Sequence, residues 1–314
     1  MGYHPRIETP DYASFNTIRC KNSRLWFANN PKLEKKILSY VAKYNEKYKV
    51  SLYALAIEGN HTQDLADFPY LNRSDYMRDR NSVTAKLVQN YNPEHEGGGV
   101  FYRRYSAELV PQHQEDIEDR FFYTVLQPVQ DGLAIKLADY PFYNCFHDAA
   151  WGIKREFKVV DWTKYNKAKR SNRKVSIKQF ETKHYLKFAR IPGYEHLTQR
   201  QYALMLTKKL EERRQIIVAK RLAEGLGFLT PEQLLQVIPG SKPKNTKTSD
   251  RYSFRPRVLS VCKYRRAEAK EFYFDCYYKY QIASDLYRKG FLDTEFPEGM
   301  HRPYCKPPPL LAAA

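Results

Sequence analysis

Apolar and polar residues alternate near the start of the chain, in 12–23 (YASFNTIRCKNS), as they do along a half-buried strand. Pro31 then opens 31–48, PKLEKKILSYVAKYNEKY, where the apolar positions recur at helical spacing. The apolar, β-branched run 50–59 (VSLYALAIEG) predicts a second strand, and after the turn-prone Gly59-Asn60 the segment 61–68 (HTQDLADF) can pair with it as a hairpin. A helix follows over 72–91, ending before Asn92-Pro93 and the triple glycine 97–99. The pattern next predicts a strand over 100–110 (VFYRRYSAELV) and a helix over 113–127 (HQEDIEDRFFYTVLQ), stopped by Pro128 and followed by a turn at Asp131-Gly132. The order strand-helix-strand-strand-helix-strand-helix is that of an α+β fold, a ferredoxin-like antiparallel sheet with helices on its face.

Beyond an aromatic stretch at 139–162, the basic segment 164–174 (KYNKAKRSNRK) predicts a boundary near residue 165. The expected organisation is a first domain at 1–165 and a mostly helical basic extension at 166–310. Helices are expected over 197–227, over 230–240 with Thr230 as cap and Pro231 in its first turn, and over 264–290, with a polar loop at 241–257.

Composition adds a partner to this outline. With 42% hydrophobic residues the 314-residue chain can bury a proper core, and its net charge of +18 suits a polyanion. The excess is localised. Residues 154–190 hold thirteen Lys and Arg against three acids, and residues 241–270 hold ten against two. Tyr165, Tyr185, Phe188, Tyr252, Phe254 and Tyr264 are interleaved with these charges, as a surface that neutralises phosphates and stacks bases requires. A solvated basic face on an ordinary helix pair is the plainer alternative. Five scattered cysteines without a paired CxxC read as reduced thiols in a cytoplasmic, nucleoid-associated protein. No apolar run is long enough to span a bilayer, the N-terminus lacks the apolar core of a signal peptide, and the terminal LAAA reads as a vector-derived scar.

A few polar positions have spacing that lets them converge. On a strand His61 and Gln63 face one side while Thr62 and Asp64 face the other, and on a helix Tyr123 and Gln127 share a face. If that helix crosses the sheet beside the strand, one imidazole and two amide oxygens suit Mg²⁺ or Mn²⁺, with Tyr123 beside them. Spacing alone does not dock the helix there, and each residue has an ordinary structural reading. His147-Asp148 is an alternative pair that caps or packs.

Four segments carry a family resemblance: GNH at 59–61, MRDRNSVTAKLV at 77–88, FYRRYSAELV at 101–110 and YTVLQPVQDGL at 123–133. Over residues 7–152 the chain resembles the REP-associated tyrosine transposases, within the His-hydrophobic-His nuclease superfamily. The last segment is similar to that family's Tyr-x-x-x-Asn-Pro-Val-x-x-Gly-Leu element. The resemblance implies that Tyr123 is the nucleophile, that Gln127 stands at the family's Asn, and that His61 and Gln63 are metal ligands. Gln63 replaces the family's second His; His-x-Gln also occurs in some rolling-circle initiators. The implied activity is divalent-metal-dependent cleavage and rejoining of single-stranded or hairpin DNA, as in DNA transposition and recombination, through a 5′-phosphotyrosine intermediate. A domesticated hairpin-binding protein with weak or lost catalysis, and an RNA-binding module, are the alternatives. A homodimer is one expected assembly.

The second half looks like the C-terminal extension of longer family members, in LEERRQIIVAKR at 210–221 and the loop 244–249. Expected nucleic-acid contacts are Arg103, Arg104 and Arg120 in the first half, and Lys167, Lys169, Arg170, Arg173, Lys174, Lys244, Lys247, Arg251 and Arg255 in the basic segments. Arg120 also has Glu115 and Asp116 within a helical turn as ion-pair candidates.

Overall fold

The computed structural model describes residues 5–171, 174–243 and 257–304. The expected Arg173, Lys244, Lys247, Arg251 and Arg255 contacts lie outside the described residues. The first half runs β1 (Tyr12–Arg19), α1 (Pro31–Tyr48), β2 (Ser51–Glu58), β3 (His61–Asp67), α2 (Arg73–Tyr91), β4 (Ser106–Pro111), α3 (Gln114–Val125) and α4 (Gln127–Gln130). The four strands form one antiparallel sheet in the order β2-β3-β1-β4. Asn30 caps α1 by accepting a hydrogen bond from the Leu33 amide, with Pro31 at a first-turn position where its missing N–H is harmless.

The helices divide between the faces of the sheet. Asp64 on β3 hydrogen-bonds Asn16 of β1 and pairs with Arg80 of α2, while Arg73 of α2 reaches Ser14, so α2 covers the face that carries residues 62 and 64; α1 packs against α2. Across the opposite face, which carries residues 61 and 63, α3 packs on β2, β3 and β4 through Ile117, Phe121 and Val125. A single apolar core runs through these layers.

Two expected elements end differently. β4 begins only at Ser106, so Arg103 and Arg104 lie on a loop rather than on a strand. Thr17 pairs with Ser106 but Cys20 bridges to Phe101, so the chain carrying the arginines loops out by two residues between these pairs. Pro128, expected to stop a helix running to 127, instead opens a new turn: α3 ends at Val125, Leu126 breaks the helix, and Pro128 occupies the first turn of α4.

The second half contains α5 (Phe146–Trp151), β5 (Arg155–Val160), α6 (Trp162–Arg170), β6 (Glu181–Leu186), α7 (Gln199–Ala223), α8 (Pro231–Leu235) and α9 (Lys263–Arg288). β5 and β6 form an antiparallel hairpin that packs on α1, with α6 between the two strands in sequence; residue 165 falls inside α6. α7 lies on α4 and α5, and α9 on β4. Among the described residues no helix is long and apolar enough to cross a membrane.

Candidate functional site

Strand alternation and register set the site. His61 pairs with Glu58 across the two-residue turn on one side and with Arg19 of β1 on the other; Gln63 pairs with Ala56 and Thr17. These side chains belong to the face beneath α3. The turn is held by its neighbours: the Phe27 amide donates to Gly59 O at 3.0 Å and the Cys20 amide to Asn60 O at 2.7 Å. A Cβ on Gly59 would lie 2.8 Å from Leu25 Cδ2, so a larger residue here would have to move the Leu25 side chain.

Two hydrogen bonds fix the state of His61. The Gln127 amide Nε2 can only donate, so at 2.9 Å it makes His61 Nε2 the acceptor; Asn60 Oδ1 can only accept, so His61 Nδ1 carries the proton. Burial, reinforced by Arg19, holds the imidazole pKa down at about 4. His61 is thus a neutral imidazole with its lone pair on Nε2, the form in which histidine binds a metal. Gln63 Oε1, on the same strand face, and Oε1 of the bonded Gln127 amide are both buried with no hydrogen-bond partner. Half a turn of the Gln127 amide exchanges its nitrogen for its oxygen beside His61. Among the described residues no three His, Cys, Asp or Glu side chains form a metal-holding group. The donors gathered here are instead one imidazole and two amides, a set that fits a hard divalent cation.

Tyr123 is half-buried on the same side of the sheet, its ring edge-on to Phe15 of β1 with centroids 5.8 Å apart. The Arg120 guanidinium lies 4.7 Å from the ring centroid and is held by Asp119, rather than by Glu115 or Asp116, which Arg265 of α9 takes instead. Burial pushes the Tyr123 phenol pKa up, Arg120 opposes this, and Asp131, Glu58 and Glu108 add to it. Tyr123 is therefore a protonated phenol at neutral pH, with a cationic side chain over its ring.

Glu58 is the residue the sequence reading missed. It is buried, its Oε2 lies 4.0 Å from His61 Nε2, and its Oε1 has no hydrogen-bond partner. Burial raises its pKa well above the usual carboxyl range, and Asp131 beside it raises it further. The available signal was its position: it ends an apolar strand and stands opposite His61 across Gly59-Asn60. His147-Asp148 is not a metal pair, since Asp148 is buried against Arg155 and Tyr143 while His147 faces Trp151.

Of the basic residues, Lys167, Lys169 and Arg170 are exposed on the last turn of α6, and Lys174 is exposed beyond it. Trp162 is exposed on the same helix, and Lys169 lies over Tyr165 at 5.9 Å. Arg103 is exposed and Arg104 half-buried.

Fold and site together define a mixed α and β protein whose antiparallel sheet presents a neutral histidine, one glutamine and a buried carboxyl group to a second glutamine and a half-buried tyrosine from the helices on that face. No family model and no curated protein matches the chain. Among solved structures it is similar to a REP-associated tyrosine transposase bound to a REP hairpin, at 16% identity over 47% of this chain and 84% of the other, with a TM-score of 0.37.

Proposed function

We propose that the chain is a divalent-metal-dependent endonuclease and transposase acting on single-stranded or hairpin DNA, with Tyr123 as nucleophile, built on a ferredoxin-like domain. The β-α-β-β-α-β order and the strand order β2-β3-β1-β4 support that domain assignment. One observation carries the functional reading: His61 offers a neutral Nε2 among buried, partnerless oxygens of Gln63 and Gln127, on the sheet face that also carries Tyr123. Buried acceptors without a partner also occur elsewhere in the chain, at Asn45, Asn72 and Asn92, but here two of them fall on the side of the sheet that carries His61. His61, Gln63 and Gln127 would hold Mg²⁺ or Mn²⁺, which when bound polarises a scissile phosphate.

The chain's own groups then have defined tasks. Tyr123 Oη attacks phosphorus, the P–O3′ bond breaks, the phenolic proton passes to solvent and the leaving 3′-oxygen is protonated. The 5′-phosphate stays on the tyrosine, and attack by a 3′-hydroxyl reverses the step. Arg120, lying over the ring, favours the negative charge that grows on the phenol oxygen. The exposed bases of α6, with Arg103 and Arg104, bind the DNA backbone.

The test is scission of an end-labelled single-stranded hairpin in Mn²⁺, with EDTA and variant controls. His61→Ala is expected to lower the rate on the order of 100-fold, Gln63→Ala by less, and Gln63→His to preserve it. Hairpin binding without any scission would leave a hairpin-binding protein in place of a nuclease.

A further inference from the structure

The proposed ligand set has no charge. One neutral imidazole and two amides would bring a dication into a buried site with nothing to balance it, and an uncompensated buried charge is costly. A carboxyl group lies at hand. Glu58 closes β2, pairs with His61 in register, and places Oε2 4.0 Å from His61 Nε2.

We infer that Glu58 is the anionic ligand of the cation site formed with His61, Gln63 and Gln127; the inference rests on the metal site proposed above. Its geometry is that of a ligand rather than of an ion-pair partner. Glu58 is 5% exposed and its Oε1 accepts no hydrogen bond. With Gln63 Oε1 and Gln127 Oε1 it makes three buried oxygens without donors on the side of the sheet that carries His61. These atoms are electron-pair donors for a cation, which on binding would displace the proton that burial holds on the Glu58 carboxyl and the Gln127 hydrogen bond from His61 Nε2. Among the described residues Arg19, the basic neighbour across His61, makes no ion pair with Glu58. The exposed Asp131, which contacts Glu58, adds negative charge at the rim. One nitrogen and three oxygens, one of them anionic, suit Mn²⁺ or Mg²⁺ over softer metals.

The test uses the full chain stripped with EDTA and titrated with Mn²⁺. Free Mn²⁺ is read by its electron paramagnetic resonance signal, and the metal-dependent rise in unfolding temperature is read in parallel. Glu58→Gln, which keeps the shape and removes the charge, is expected to weaken Mn²⁺ binding at least tenfold and to abolish most of that rise. If Glu58→Gln does not fold, Glu58→Leu serves, since an apolar side chain suits the buried position, and the same loss is expected. Binding within twofold of the parent chain in either folded variant overturns the inference, as does a parent chain that binds no Mn²⁺ at millimolar concentration. The two readings fail separately. Hairpin scission in Mn²⁺ with unaltered metal affinity in Glu58→Gln rejects the ligand and keeps the nuclease. Glu58-dependent Mn²⁺ binding without scission of any single strand keeps the ligand and rejects the nuclease.

Discussion

His61 stays neutral because burial, reinforced by Arg19, opposes the imidazolium and outweighs the Gln127 contact, which acts the other way. An unfolded chain lacks these constraints and its histidine protonates near pH 6.5. The folded pKa is the lower one, so the histidine's contribution is present above 6.5 and is lost as pH falls toward about 4. Glu58, raised in the folded state, slopes the other way, losing its contribution as pH rises above the ordinary carboxyl range. A comparison isolates the histidine: in metal-free buffer the stability difference between the parent chain and His61→Ala should narrow by about 3 kcal/mol between pH 7 and pH 4, by denaturant titration. A constant difference would mean that His61 titrates normally in the fold. Period-two alternation was enough to read His61 and Gln63 onto one face and Asp64 onto the other. Glu58 escaped because its importance lies in cross-strand register, which fixes the partner of His61 and which a one-dimensional pattern does not display.

Elements hold the site through a few polar contacts embedded in apolar packing. Arg80 and Asp64, both almost wholly buried, fasten α2 to the centre of the sheet, with Asn16 completing the carboxylate's hydrogen bonds. Asp64→Ala leaves the guanidinium uncompensated and should cost about 3–5 kcal/mol of unfolding free energy. Pairing it with Arg80→Met should restore most of that loss; an undiminished loss in the double variant would show that the pair is not the fastening. On the other face, Glu118 of α3 is clasped by Lys209 at 2.7 Å and by Arg213 of α7, and Arg221 of α7 donates to Gln130 O of α4 at 2.7 Å. α7 therefore braces both helices that carry the site, although its residues touch neither Tyr123 nor His61 in these contacts. The first seven elements were legible from periodicity and punctuation. The β5–β6 hairpin was not: Phe157 and Val159 alternate inward, but β6 buries only Leu186, and its charges mask the pattern. Its strands are also separated by a helix, so no tight-turn signal links them.

At the scale of the whole molecule the +18 charge is concentrated rather than spread, and α6 presents part of it beside the exposed Trp162 ring. Replacing Lys167, Lys169 and Arg170 together with Gln should weaken binding to a single-stranded hairpin. It should also flatten the slope of log affinity against log salt by about 2, at roughly 0.7 per phosphate contact. An unchanged slope would make this face a solvated surface. Composition marked that segment as basic, but the bracing of α3 and α4 by α7 was beyond it, because it depends on side chains some ninety residues apart.

The central claim is that Tyr123 joins the chain to DNA. Its most direct measurement is mass spectrometry of tryptic peptides after incubation with a single-stranded hairpin and Mn²⁺ under denaturing quench. The expected result is an oligonucleotide 5′-phosphate on the peptide containing Tyr123, absent with EDTA and absent in Tyr123→Phe, which should still bind the hairpin. An adduct that persists in Tyr123→Phe, or that maps to Tyr91, Tyr102 or Tyr105, would contradict it.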